Sequence, residues 1–175
     1  KRDDVPLYFQ IITDPSTRTV SSFQKAIWLL GGFSETLPRK FSSQYKDESN
    51  PSTARNLSFL CDCIIFRNDE DENSAQEMAD AVEKYQLPTL IINAGSGSKE
   101  HPTQMLLDLF TIYELLPTKF ELGQLNYALI GDLSHSRTIH SLLIGLSHFG
   151  GTVVLVGPPE KKIPDWVRSE ISGKI

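Results

Sequence analysis

The sequence predicts an α/β fold, a parallel sheet with helices on both faces, arranged as two Rossmann-like domains of which the second is incomplete. Three observations lead there. Five short apolar runs have strand character. Segments of 11–15 residues with helical apolar spacing alternate with them. A break at 117–123, containing Pro117 and Gly123, divides the third helical segment from the fourth run.

The first strand is expected at residues 7–12 and the first helix at 20–30, where Val20, Phe23, Ile27 and Leu30 fall on one stripe spaced for burial. Residues 34–54 are polar, with Ser42, Ser43, Gln44, Lys46, Ser49, Asn50 and Pro51, and read as a long exposed loop. Loops of that length in a compact domain usually serve function. Strands follow at 61–67 and 89–93, flanking a second helix at 75–85 marked by Met78, Ala79 and Val82. The third helix, 104–115, is unusually apolar, with Met105, Leu106, Leu109, Phe110 and Ile112. Strands at 127–131 and 152–157 enclose a fourth helix at 138–149, and a short helical stretch at 165–171 follows. Two strands after the junction leave a half-built sheet edge, so the chain reads as the front part of something longer.

Composition narrows the function classes. The 175 residues carry 17 Lys and Arg against 22 Asp and Glu, a net charge of −5. Nucleic acid is therefore not an expected partner. No run of about 18 apolar residues exists to span a bilayer, and no signal-peptide core follows Lys1-Arg2-Asp3-Asp4. No membrane association and no secretory route are expected. Cys61 and Cys63, two apart, are read as sharing one strand face, where a mutual disulfide would be strained. Zinc needs four ligands, and no second Cys/His pair is suitably spaced. A reduced chain in the cytoplasm, with no metal and no cofactor, is the expectation.

Chemistry concentrates at strand ends. Asp14-Pro15-Ser16-Thr17-Arg18-Thr19 lies between the first strand and first helix, where hydroxyls, backbone N–H groups and an arginine form a ready anion site. A plain N-cap by Ser16 with Arg18 in solvent is the simpler alternative. Arg67 closes the second strand. After the third strand, Gly95 and Gly97 permit tight turning, and His101 and Gln104 sit three apart at a helix start. A neutral imidazole can donate to a carbonyl oxygen, and a glutamine amide can accept from an –NH2 group. Gly131-Asp132-Leu133-Ser134-His135-Ser136-Arg137-Thr138 follows the fourth strand; it lacks the later glycines of a dinucleotide fingerprint. Arg137 there can fork onto a carboxylate. In open parallel sheets the carboxyl edge of the strands is where ligands bind. Arginines, a histidine and hydroxyls gathered on that edge describe a site for a small, multiply anionic ligand.

Ser16-Thr17-Arg18-Thr19, the stretch from His101-Pro102-Thr103-Gln104 to Ile112, and Gly131-Asp132-Leu133 with Arg137-Thr138-Ile139-His140-Ser141-Leu142 together resemble the signatures of the aspartate carbamoyltransferases, within the aspartate/ornithine family. Ornithine enzymes generally carry Cys where Thr103 stands and lack the Arg-Thr-x-His-Ser stretch, so the resemblance favours L-aspartate as acceptor. It implies a carbamoyl-phosphate-binding domain at 1–116 and the start of an aspartate-binding domain at 117–175. Ser16, Thr17, Arg18 and Thr19 would hold the phosphate of carbamoyl phosphate. Thr19, Arg67 and His101 would polarise the carbamoyl carbonyl, Gln104 would meet its amino group, and Arg137 would hold an aspartate carboxylate.

Ser42 and Lys46 would belong to a mobile loop reaching a neighbouring subunit's site in a homotrimer. There Lys46 would join Arg67, His101 and Thr19 in catalysis and contact aspartate. Larger assemblies with regulatory or dihydroorotase-type subunits are also implied. Asp14 stands where the family usually has Glu. Departures are specific: Arg67 is followed by Asn68-Asp69 in place of His-Pro, Val20 replaces an arginine, and Asp47-Glu48 and Pro51 alter the mobile loop. By this resemblance the chain alone would be inactive. Two alternatives stay open, a carbamoyltransferase for another amine and a non-catalytic assembly or regulatory relative.

Overall fold

The computed structural model describes residues 5–13, 16–37, 48–115 and 122–173. Asp14, Ser42 and Lys46 lie outside them. The chain divides into two compact units, Lys1–Gly97 and Ser98–Ile175.

In the first unit the elements run β1 (Leu7–Ile12), α1 (Thr17–Leu29), β2 (Phe33–Thr36), α2 (Asn50–Leu57), β3 (Cys63–Asn68), α3 (Ser74–Lys84) and β4 (Leu90–Ser96). The four strands form one parallel sheet in the order β2-β1-β3-β4. Strand alternation sends Phe9, Ile11, Ile64 and Phe66 to one face, where Ala54 of α2 and Ala75 and Met78 of α3 cover them. The opposite face packs Cys63, Ile65 and Ala94 against Ile27 and Phe23 of α1. Helices therefore cover both faces, as a buried parallel sheet requires.

Two elements escape the sequence reading. Residues 34–54 are not one long loop: β2 occupies the front of that span and α2 begins at Asn50. β2 is a four-residue edge strand paired with β1 alone among the described residues. Its alternate half-buried and exposed residues leave little apolar signal. For α2, Ser49 is the N-cap, its side chain accepting from the Ser52 amide, and Pro51 sits in the first turn. There its missing N–H costs nothing, so a residue that looks like a breaker is a helix start.

Leu30 does not continue the buried stripe of α1; it is the C-cap and 80% exposed, because the helix ends one residue earlier and the chain turns at Gly31. Cys61 and Cys63 do not share a face. The chain enters β3 only at Cys63, and Cys61 packs with Phe9 and Phe66 while Cys63 packs with Ile27 and Ile65. Both thiols are free and buried, and burial pushes Cys63 up to about 12, so it stays protonated at neutral pH.

In the second unit, α4 (Pro102–Leu115), a short 3-10 turn (Leu122–Gln124), β5 (Asn126–Ile130), α5 (Arg137–Ser147), β6 (Thr152–Val156) and α6 (Asp165–Ile171) follow. β5 and β6 form a two-stranded parallel sheet. Leu133, Leu143, Ile163 and Val167 make its core, with Leu129 and Val153 packed against them. Asn126, Ala128 and Ile130 alternate outward and are exposed. α4 packs on α5 at Gly145, where a Cβ would meet the Met105 thioether at 2.5 Å. Of the apolar set read into α4, Leu109 is buried, whereas Leu106 and Phe110 are exposed.

Candidate active site

The order β2-β1-β3-β4 places a topological switch point between β1 and β3. The chain leaves β1 toward β2 on one side and returns from β2 to β3 on the other. Connections thus diverge from adjacent strand ends and open a crevice at their carboxyl edge. The backbone closes the floor of this edge, with the Thr13 N–H donating to the Arg67 carbonyl at 3.0 Å. Above it stand the first turn of α1 and the Arg67 side chain.

That first turn is built for an anion more than for a cap. Ser16 is the N-cap residue but makes no side-chain cap hydrogen bond. Its hydroxyl instead donates to Thr19 Oγ1 at 2.8 Å. Thr19 Oγ1 in turn accepts from Arg67 Nη1 at 3.1 Å. Thr19 is buried, while Thr17 and Arg18 are exposed. The amide dipoles of α1 and the Arg67 guanidinium therefore add positive potential at one place. Gly95, at φ +140°, lies against the Arg67 stem; a Cβ there would sit 3.5 Å from Arg67 Cγ. Gly97, at φ +51°, leaves room for Glu72, whose Cγ a Cβ would meet at 2.6 Å.

Arg67 has a second partner that the sequence reading did not assign. Asp69 accepts from Nε at 3.2 Å and from Nη2 at 2.6 Å, a fork-to-fork ion pair. Asp69 lies one residue past the end of β3, so strand alternation does not show this contact from the sequence.

The second unit presents its own constellation. The His101 N–H donates to Ser141 Oγ at 2.8 Å, and the His101 carbonyl accepts from the Gln104 and Met105 amides as α4 begins. Gln104 Nε2 donates to Asp108 Oδ1 at 2.9 Å, which leaves Oε1 as the end that accepts. Beside Ser141, the buried His140 has Nε2 2.9 Å from the Leu133 carbonyl and Nδ1 3.4 Å from the Lys99 carbonyl. Two adjacent residues of α5 thus hold both the loop entering α4 and the loop entering α5. The Arg-Thr-x-His-Ser stretch has a positioning role that reading its arginine alone misses.

Arg137 opens α5 behind a turn organised by Asp132. Asp132 Oδ1 accepts from the Ser134 amide at 3.0 Å and the Ser134 hydroxyl at 2.8 Å, and Oδ2 lies 3.2 Å from Lys161 Nζ. The Ser134 hydroxyl foremost, helped by Lys161 and His135, holds this carboxyl well below the usual carboxylate range. Among the described residues no His/Cys/Asp/Glu group is arranged to hold a metal ion. None of the described helices is long and apolar enough to cross a membrane.

Residues 7–114 match the family model described as aspartate/ornithine carbamoyltransferase, carbamoyl-P binding domain. The aspartate carbamoyltransferase catalytic subunit of Methanothrix thermoacetophila is 39% identical over 160 residues, covering 91% of this chain and 49% of that protein. The multifunctional protein URA2 of Saccharomyces cerevisiae is 40% identical over 161 residues, covering 92% of this chain and 7% of that protein. Aspartate transcarbamoylase from Trypanosoma cruzi, solved with carbamoyl aspartate and phosphate, superposes with a TM-score of 0.81 at 31% identity, covering 97% of this chain and 53% of that one. The chain thus spans about half the length of the single-function relative and a small part of the multifunctional one. With the parallel sheet, its switch-point crevice and a family match over residues 7–114, this chain belongs to the aspartate/ornithine carbamoyltransferase family.

Proposed function

We propose that the protein is an aspartate carbamoyltransferase, moving the carbamoyl group of carbamoyl phosphate to the amino group of L-aspartate in pyrimidine biosynthesis. One observation carries this reading. At the β1–β3 switch point, a guanidinium and a threonine hydroxyl meet 3.1 Å apart over an uncapped helix start, a site for a phosphorylated ligand.

In this reading Ser16, Thr17, Arg18 and Thr19 hold the phosphate. The amine attacks the carbamoyl carbon, the carbonyl oxygen takes up negative charge, and the carbon–oxygen bond to phosphate breaks. Arg67, Thr19 and His101 stabilise that oxyanion, and Gln104 Oε1 accepts from the carbamoyl –NH2. The work is orientation and electrostatics. Arg137 holds an aspartate carboxylate, and Thr103 with the Arg-Thr-x-His-Ser stretch favours aspartate over ornithine.

Residues 1–116 form the carbamoyl-phosphate-binding domain and 117–175 begin the aspartate-binding domain; the family match over 7–114 supports that division. The working protein is a cytoplasmic homotrimer whose Ser42 and Lys46 loop serves a neighbour. The similarity to a multifunctional protein supports a larger assembly. A second reading, a non-catalytic relative, is favoured by a specific contact: Asp69 occupies the guanidinium that the chemistry needs.

The test is carbamoyl transfer by the complete polypeptide with aspartate, ornithine and putrescine as rival acceptors. Product with aspartate alone is expected. Product with another amine, or with none, would overturn the assignment.

A further inference from the structure

Every nitrogen of the Arg67 guanidinium is engaged within the first unit. Nη1 donates to Thr19 Oγ1, and the Nε–Nη2 edge is spent on the two oxygens of Asp69. That edge is the one a phosphate or carboxylate would take for a bidentate grip. The pair is also sheltered, with side chains 11% and 27% exposed, so it is screened less than a surface ion pair. A carboxylate fixed there neutralises the cation and repels any second anion brought to the same crevice. The neighbouring acids are occupied differently. Asp71 Oδ1 accepts from the Asn73 amide, and Glu72 leans on Gly97.

We propose that Asp69 is an internal anion that competes with the phosphorylated ligand for Arg67, so that binding is an exchange in which the ligand displaces the carboxylate. Asp69 thereby sets the affinity and the effective charge of the site. This inference rests on the anion-site reading above, and it concerns a residue that reading leaves without a role.

Titrating the protein calorimetrically with inorganic phosphate and with carbamoyl phosphate tests it. Asp69→Asn keeps the shape and one acceptor while removing the charge, and Asp69→Ser removes the charge with a smaller side chain should the asparagine variant fold poorly. Both should bind phosphate at least about tenfold more tightly than the parent, the scale of removing one nearby like charge at partial burial. Asp69→Glu, which keeps the charge, should stay within about threefold. A residue that merely supported Arg67 would give the opposite sign, since its loss would loosen the guanidinium and weaken phosphate. Equal or weaker phosphate binding by the two neutral variants would overturn the exchange while leaving the function standing. Absence of saturable binding by the parent and all variants would overturn both.

Discussion

Replacing Arg67 by alanine is expected to lower kcat for carbamoyl transfer at least about 10²-fold in the complete polypeptide, the scale of losing one preorganised oxyanion donor. Arg67, next to last in β3, has its stem against Gly95 and its Nη1 on Thr19, contacts that hold it at the crevice while its Nε–Nη2 edge exchanges Asp69 for the ligand. Preorganisation is what makes such a donor effective, because little reorganisation remains when charge develops. Arg67→Lys should recover little, since an ammonium cannot contact Thr19 and an anion from a planar fork. The loss should fall on kcat and kcat/KM together, as for an interaction strongest in the transition state. A kcat within a few-fold of the parent would remove Arg67 from the assigned role.

Phe66→Ala is expected to destabilise the chain by about 3–5 kcal/mol, lowering the melting temperature by roughly 6–20 °C. Phe66 is fully buried, and its ring sits in the core between the sheet and the helices α2 and α3. Removing the ring forfeits burial and opens a cavity that a sheet pinned by parallel neighbours closes only in part. Leu30→Ala provides the contrast. Leu30 belongs to the same helical spacing as buried Ile27 yet faces solvent, so its loss should stay within about 0.5 kcal/mol. Thermal and urea unfolding of the two variants would separate them, and a Phe66→Ala protein as stable as the parent would contradict the packing described for β3.

Buried Phe66 and exposed Leu30 mark how far apolar spacing carries. Periodicity locates α1, α3, α4 and α5 to within a few residues because each buries a stripe against a sheet or another helix. It cannot say where the stripe stops, which at Leu30 is decided by the turn at Gly31. β2 was illegible because an edge strand of four residues needs only half a face buried. α2 was illegible because Asn50 and Pro51 mean a helix start only when Ser49 caps it.

The sequence offers Ser16, Thr19, Arg67, His101, Gln104 and Arg137 as candidates through their common place after strands. It reveals only part of what holds them. Ser141 on His101 joins two separate elements and Asp69 lies just past the end of β3, so spacing shows neither, whereas Asp108 on Gln104, four apart on α4, is a contact that spacing does give.

The crevice between β1 and β3 is where the phosphorylated ligand is expected to bind. The most direct test is a crystal structure of the protein grown with carbamoyl phosphate. The phosphate group should lie at the carboxyl ends of these two strands, within hydrogen-bond distance of the first-turn amides of α1 and of Thr19. Arg67 should have turned from Asp69 toward the ligand. Carbamoyl phosphate bound elsewhere, with the Arg67–Asp69 pair intact and the start of α1 empty, would contradict both the assigned site and the exchange that is proposed to control it.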